Sequence, residues 1–366
     1  MPRPHAQAKA QPVLIMAGGT GGHIFPGLAV ADALRALDTP VRWLGARGAM
    51  ECVRVPQYGI ALDTVDISGL RGKGALGWVL APLRLTRAIV QAMGVLRRNR
   101  PACAVSFGGY AAGPGGLAAR LRGIPLLVHE QNRVPGMTNK FLARIARKVL
   151  QAFPGTWPSS PKLETCGNPV RRDVVALPPP QQRLVGRQGP PRLLVTGGSQ
   201  GAQALNRAVP RALALLSLDE RPVVRHQSGV RDEKATSQAY RDLGIEAQVS
   251  AFIDDMADAY GWADLVVCRS GALTVSELAA AGIGSVLVPF PHAVDDHQTS
   301  NAEFLSEAGA AEIIPEPELG TEFLAQTLRR LLGDRATLMS MAAAARSVAV
   351  PDSAERVARL CLEVAR

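Results

Sequence analysis

Short apolar runs recur along the whole chain, each closed by glycine, proline or a polar turn and most followed by a longer stretch of helical spacing. In the first half they fall at Val13 to Ala17, Val41 to Leu44, Ala102 to Phe107, Leu126 to Val128 and Lys148 to Gln151. The second half repeats them at Arg192 to Thr196, Val223 to Gln227, Gln248 to Phe252, Leu265 to Cys268, Ser285 to Val288 and Ala311 to Ile314. Such runs predict strands buried on both faces, and strands alternating with helices predict parallel sheets covered on both sides. Two of them open alike. Val13 to Ala17 runs into Gly18-Gly19-Thr20-Gly21-Gly22, and Leu193 to Thr196 into Gly197-Gly198-Ser199-Gln200-Gly201. A buried strand, a glycine-rich turn and a helix N-terminus make a phosphate-friendly device, and two copies predict two doubly wound α/β halves.

Two segments stand apart from this alternation. Between Gly74 and Arg100, Leu76, Val79, Leu80 and Leu83 fall at i, i+3, i+4 and i+7, followed by Arg84, Arg87, Arg97, Arg98 and Arg100. This face either packs into its own domain or lies in a membrane interface with its arginines among anionic headgroups. The last segment, Pro351 to Arg366, carries Val357, Leu360, Leu362 and Val364 among charges and predicts a terminal amphipathic helix. Proline-rich stretches at Pro154 to Pro161 and from Pro178-Pro179-Pro180 to Pro190-Pro191 interrupt helix and central strand alike. The expected domains are therefore 1–170 and 171–350, with 351–366 as a terminal helix; 366 residues suit two cores better than one.

Charge sharpens the division. The formal net charge is +10, but residues 1–150 hold 20 Lys and Arg against 6 Asp and Glu, and the remainder 21 against 25. Between Arg71 and Lys148 there are 14 basic residues and one acid, Glu130. A field this one-sided favours a polyanion, an anionic membrane or a multiply charged substrate, or it is a basic surface and nothing more. The five cysteines are scattered without a C-x-x-C pair, which predicts buried thiols in a reducing compartment. The apolar run before the first glycines is only five residues long, and no run approaches a spanning helix, so a cytoplasmic location is expected.

The candidate chemistry begins with glycine. A third cluster, Gly108-Gly109-Tyr110-Ala111-Ala112-Gly113-Pro114-Gly115-Gly116, joins the two openings, and all three suit a phosphate or pyrophosphate, as they also suit tight strand-to-helix turns. The G-x-x-x-x-G-K-[ST] pattern is absent, which argues against ATP or GTP hydrolysis. No acid follows the second strand to hold a dinucleotide ribose; Arg47 there keeps an NADP oxidoreductase as an alternative. His23 follows the first turn, where the positive end of a helix favours a neutral imidazole, suited to general-base work or to simple hydrogen bonding. In Cys268 to Glu277, Thr274-x-x-Glu277 has capping-box spacing, so Glu277 is either a helix cap or a carboxylate for two ribose hydroxyls. His292, Asp295, Asp296 and His297 lack the fixed framework of a metal site, and no D-x-D triplet exists to carry a divalent ion, so no metal and no cofactor is expected.

In order along the chain, Gly18 to Gly27, Ile67-Ser68-Gly69-Leu70-Arg71-Gly72-Lys73, Gly108-Gly109-Tyr110, His129-Glu130-Gln131-Asn132, Gly167-Asn168-Pro169-Val170-Arg171, Gly197 to Ala202 and Ser270 to Glu277 resemble the MurG family of peptidoglycan glycosyltransferases. The resemblance implies a GT-B fold: two Rossmann-like domains facing across a cleft, with the C-terminal helix returning to the first. It implies inverting, metal-independent transfer of N-acetylglucosamine (GlcNAc) from UDP-GlcNAc to the C4 hydroxyl of N-acetylmuramic acid in lipid I, the undecaprenyl-pyrophosphoryl pentapeptide, to give lipid II. It also implies a peripheral protein on the cytoplasmic face of the inner membrane, with partners among cell-wall synthesis and division proteins.

Carried over residue by residue, the donor contacts fall on Thr20, Gly21 and Gly22 in the first turn, Asn132 at the sugar, and Arg171 and Ser199 at the nucleotide and its phosphates. The backbone at Ile253 reads the uracil, Ala272, Leu273, Thr274, Val275, Ser276 and Glu277 hold the ribose end, and Gln298 reads the sugar. His23 is the implied base. Leu76, Val79, Leu80, Leu83, Arg84, Arg87 and Lys140 form the acceptor and membrane set. A basic nucleic-acid-binding protein is the competing class, but aromatic residues are only 4% of the chain, few for base stacking, and no nucleic-acid partner is expected.

Overall fold

The computed structural model describes residues 11–69, 80–198 and 201–365. Two compact units emerge: Met1–Gln131 with Pro135–Pro169 and Asp352–Arg366, and Asn132–Val134 with Val170–Pro351.

In the first unit seven parallel strands, β1 (Val13–Ala17), β2 (Val41–Ala46), β3 (Ala61–Val65), β4 (Cys103–Gly108), β5 (Leu126–Glu130), β6 (Lys148–Gln151) and β7 (Leu163–Thr165), lie in the order β3-β2-β1-β4-β5-β6-β7. The fully apolar β1 shows why a continuous run is needed. Val13, Ile15 and Ala17 enter one core while Leu14 and Met16 enter another on the opposite face. The first core is closed by helix Gly21–Ala36 and by the C-terminal helix Ser353–Ala365, which buries Val357, Ala358, Leu360, Cys361 and Val364 there. Each buried aliphatic side chain of this kind contributes about 1.5–3 kcal/mol, which holds the returning helix to this unit. The second core is covered by helices Ala81–Asn99, Ala112–Leu121 and Met137–Ile145.

The second unit is built alike, with β8 (Arg192–Thr196), β9 (Val223–Gln227), β10 (Ala247–Ser250), β11 (Leu265–Cys268), β12 (Gly284–Leu287) and β13 (Ala311–Ile313) in the order β10-β9-β8-β11-β12-β13, again all parallel. Strand order reverses between β1 and β4 in one sheet and between β8 and β11 in the other. In open parallel sheets ligands bind beyond the carboxyl ends of strands at such a switch point. Both glycine openings sit there.

Two strands escape the apolar-run reading. β3 is a half-exposed edge with Asp63 and Thr64 at its centre, and β7 is a three-residue edge just after Pro161. Edge strands bury one side and need no continuous apolar run. β10 ends at Ser250 rather than Phe252, whose ring is exposed in the following loop. All five cysteines are free thiols, four buried and Cys52 half-buried. Among the described residues no helix is long and apolar enough to cross a membrane.

Candidate active site

In the first unit the turn after β1 places His23 in the first turn of the Gly21–Ala36 helix, where Thr20 is the N-cap. His23 Nδ1 lies 3.0 Å from the Gly18 carbonyl oxygen and 3.5 Å from Thr20 Oγ1. A carbonyl can only accept, so Nδ1 carries a proton and donates; in a neutral ring the lone pair is then on Nε2. That nitrogen faces the end of β4: a Cβ added at Gly108 would lie 3.2 Å from it. Gly109 approaches so closely that its Cβ would stand 2.4 Å from the Gly18 oxygen. The third glycine cluster is thus explained by packing, since a Cβ at Gly115 or Gly116 would likewise fall 2.6 Å from Leu44 or Leu142. Behind Gly108, Asn139 Nδ2 donates to Glu130 Oε2 at 2.9 Å and to the His129 carbonyl at 3.1 Å. Burial holds the His129 imidazole down at about 4, opposed by its bond to the Gly167 carbonyl.

Sequence reasoning missed Glu51. This wholly buried carboxyl accepts from Gly19 N at 3.0 Å and from Ala46 N at 2.8 Å, so the first turn is backed by an acid. No periodicity or motif marks it; only its being one of few acids in the basic half sets it apart.

In the second unit Arg171 and Glu277 meet. The guanidinium donates through Nε at 3.2 Å and Nη2 at 3.0 Å to Glu277 Oε1, and the Tyr260 hydroxyl donates to Oε2 at 3.1 Å. Burial raises the Glu277 carboxyl above the usual range, with Arg171 pulling the other way. Burial also works against the Arg171 charge, yet the Glu277 carboxylate leaves it above its ordinary value. The Tyr260 phenol is pushed far up by burial and then by Glu277.

The capping-box alternative for Glu277 fails. Helix Ala272–Ala281 has Gly271 as its N-cap with no side-chain cap bond, and Glu277 lies in the second turn. Thr274 is inside the helix, so the pair cannot cap it. The helix therefore starts without a side-chain cap and turns its positive end to the edge of β11, the arrangement that receives anions. Within the same stretch Ala272 and Val275 are buried, Leu273, Thr274 and Ser276 are half-buried, and Val275 N bonds the Gly271 carbonyl. Val275 holds the helix rather than facing outward.

The other positions expected at the donor fall in both units. Asn132 Oδ1 accepts from Asn301 Nδ2 at 3.1 Å, and Asn301 also receives Arg133 N at 3.0 Å and reaches the Ser270 carbonyl at 3.4 Å. Ile253 is half-buried in the loop after β10. Gln298, in helix His297–Glu307, is engaged by Phe290 N at 3.0 Å. Gly21 is half-buried and Thr20 and Gly22 are exposed in the first turn. Ser199 lies outside the described residues, as do Leu76 and Val79. Among the described residues no three His, Cys, Asp or Glu side chains converge as metal ligands.

Of the acceptor and membrane set, Leu80 immediately precedes helix Ala81–Asn99. That helix buries Ala88, Ala92, Val95 and Leu96 and turns Leu83 outward, 69% exposed, beside exposed Arg84 and Arg87. Arg87 pairs with Asp66 at 3.2 Å. Lys140 is exposed on helix Met137–Ile145 between Met137, 77% exposed, and Phe141.

Residues 13–151 match the glycosyltransferase family 28 N-terminal domain and residues 192–357 its C-terminal domain. A UDP-N-acetylglucosamine–N-acetylmuramyl-(pentapeptide) pyrophosphoryl-undecaprenol N-acetylglucosamine transferase from Xanthomonas campestris pv. campestris is 58% identical over 363 residues, 99% of this chain and 84% of its own length. The like-named protein of Marinobacter nauticus is 54% identical over 352 residues, 96% and 97% of the two chains. The crystal structure of Acinetobacter baumannii MurG superposes with a TM-score of 0.84 at 41% identity, covering 96% of this chain and 99% of that one.

Proposed function

The chain belongs to glycosyltransferase family 28 and, within it, to the MurG family with its GT-B fold of two parallel-sheet domains, and from that membership we infer an N-acetylglucosaminyltransferase. It moves GlcNAc from UDP-GlcNAc to the C4 hydroxyl of N-acetylmuramic acid in lipid I, giving lipid II for peptidoglycan. The oxidoreductase and nucleic-acid readings give way to this one.

The observation that carries the mechanism is the hydrogen bond between His23 Nδ1 and the Gly18 carbonyl oxygen. With its Nδ1 proton committed to the Gly18 carbonyl, Nε2 is the nitrogen that takes the proton of the acceptor hydroxyl. As that proton leaves, the C4 oxygen attacks the anomeric carbon, the bond from that carbon to the UDP β-phosphate oxygen breaks, and UDP departs with the electron pair. Displacement from the opposite face inverts the anomeric centre. Charge growing on the departing pyrophosphate is met in the second unit by the uncapped end of helix Ala272–Ala281, by Arg171 and by the Gly197–Gly201 turn with Ser199. Such fixed dipoles do the work that a metal ion does in other transferases.

Glu277 is read as the ribose carboxylate. Its oxygens are already engaged by Arg171 and Tyr260, so ribose binding exchanges one of those bonds. Thr20, Gly21, Gly22, Asn132, Ile253 and Gln298 complete the donor contacts. Leu83, Arg84, Arg87 and Lys140 face the anionic membrane that presents the acceptor, which makes the protein peripheral on the cytoplasmic face. The test is UDP release from UDP-GlcNAc, with and without a lipid I analogue, in EDTA. Acceptor-dependent release that survives the chelator is expected; loss in EDTA removes the metal-independent mechanism, and acceptor-independent release removes the transferase reading.

A further inference from the structure

The peptide group between Gly18 and Gly19 is gripped at both ends. Its carbonyl oxygen accepts from His23 Nδ1 at 3.0 Å, and its N–H donates to Glu51 Oε2 at 3.0 Å. Glu51 starts the Glu51–Gln57 helix, where an acid ordinarily serves its own helix end. Here both oxygens turn elsewhere, the second accepting from Ala46 N, the last residue of β2. The carboxyl sits so close beneath the turn that a Cβ on Gly18 would fall 2.1 Å from Oε1, and one on Gly45 2.5 Å from Cγ. Glycine at both positions makes room for this acid.

We propose that Glu51 is a positioning residue for His23, acting through the Gly18–Gly19 peptide group. A hydrogen-bond chain polarises its members, so an amide that donates to a carboxyl oxygen presents a stronger acceptor at its own carbonyl. The strengthened Gly18 oxygen holds the imidazole proton on Nδ1, fixes the ring plane and leaves Nε2 as the lone-pair nitrogen. It is the logic of a carboxylate behind a catalytic histidine, with one peptide group inserted between them. The other acid near His23 is Glu130 on β5, reached through Asn139 beyond Gly108; it approaches from the Nε2 side and does not share the Gly18–Gly19 peptide. The proposal rests on the reading of His23 as the base.

A double-mutant cycle tests it, with kcat and the KM for UDP-GlcNAc measured for His23→Ala, Glu51→Gln and the pair, and with histidine 15N NMR alongside. Glu51→Gln is expected to lower kcat about 10- to 100-fold, less than the loss of the base itself, without moving that KM. In the His23→Ala background it costs nothing more, and the 15N signature of His23 changes from Nδ1–H to a mixture of tautomers. Glu51→Asp, which keeps a carboxyl, recovers part of kcat. The same fold-loss in both backgrounds would show a purely structural acid and overturn the proposal alone. A His23→Ala enzyme of full kcat overturns the base reading and the proposal with it. If the Gln variant does not fold, the wild-type spectrum decides: a neutral His23 protonated on Nε2 overturns the proposal.

Discussion

The two glycine turns are alike in sequence grammar and different in what stands behind them. Each follows an apolar strand at a switch point and leads into a helix. Beneath the first, the Glu51 carboxyl already receives the Gly19 N–H. Beneath the second, the Gln227 side-chain amide donates to the Gly198 carbonyl at 2.9 Å and to the Ala251 carbonyl at 3.2 Å, tying the turn to the loop that carries Ile253. An acid behind a turn disfavours a phosphate in it, whereas a neutral amide that donates to a turn carbonyl brings no negative charge there. A glycine-rich turn is therefore not a phosphate site by virtue of its glycines. In the first turn they seat an acid beside a histidine; in the second, the nucleotide's phosphates are the proposed guest.

The largest effect that would sharpen this contrast is at His23. Replacement by alanine is expected to lower kcat by about 10²- to 10⁴-fold, the range for general-base catalysis, while UDP binding measured by calorimetry is unchanged. Loss of UDP affinity instead would make His23 itself a donor contact rather than the base. Next, Arg171→Ala leaves the buried Glu277 carboxyl with only Tyr260, and a stability loss of about 3 kcal/mol in denaturant unfolding is expected together with a raised KM for UDP-GlcNAc. An unchanged KM would take Arg171 out of the donor site.

The turns themselves can be compared by one added methyl. A Cβ at Gly18 overlaps Glu51, whereas at Gly198 it meets nothing within 4 Å and suffers only the positive φ of +76°. Gly18→Ala should cost about 3 kcal/mol by forcing the acid aside, and Gly198→Ala about 1 kcal/mol of backbone strain. Equal losses would mean that the two turns are equivalent.

Acid pH probes each unit through a buried histidine. Burial lowers His129 in the first unit to about 4 and His226 in the second to about 3. The unfolded chain, near 6.5, takes these protons first as pH falls, so stability is full above about 6.5 and is lost as the pH drops toward 4. At pH 5.5 each histidine costs about 1.4 kcal/mol relative to pH 7.5. Unfolding midpoints that do not move over this window would refute the buried neutral rings. The smallest effect is at the surface: reversing Arg84 and Arg87 to Glu should weaken partitioning onto anionic vesicles by about 1 kcal/mol for each charge removed, and unaltered partitioning would take this helix off the membrane.

Much of the fold was legible because buried parallel strands cannot disguise themselves. Lys148–Gln151, Arg192–Thr196, Val223–Gln227 and Leu265–Cys268 are strands at the bounds their apolar runs predict. β3 and β7 were not, since an edge strand with Asp63 or Glu164 in it looks like a loop. For the site, sequence resemblance supplied His23, Arg171 and Glu277 as separate positions. That Arg171 and Glu277 bond one another, across 106 residues of chain, is a tertiary fact. So is the failure of the Thr274-x-x-Glu277 cap, because the helix begins at Ala272 and spacing alone cannot say where a helix starts.

The sequence by itself determined the two α/β units, the family and the likeness of the two glycine openings, because each is written in residues close together in the chain. Only the tertiary structure decided that the openings differ. Glu51 is brought under the first turn by the packing of its helix against β2, and Gln227 under the second by the pairing of β9 with β8. What backs a turn comes from elsewhere in the chain, and local sequence carries no record of it.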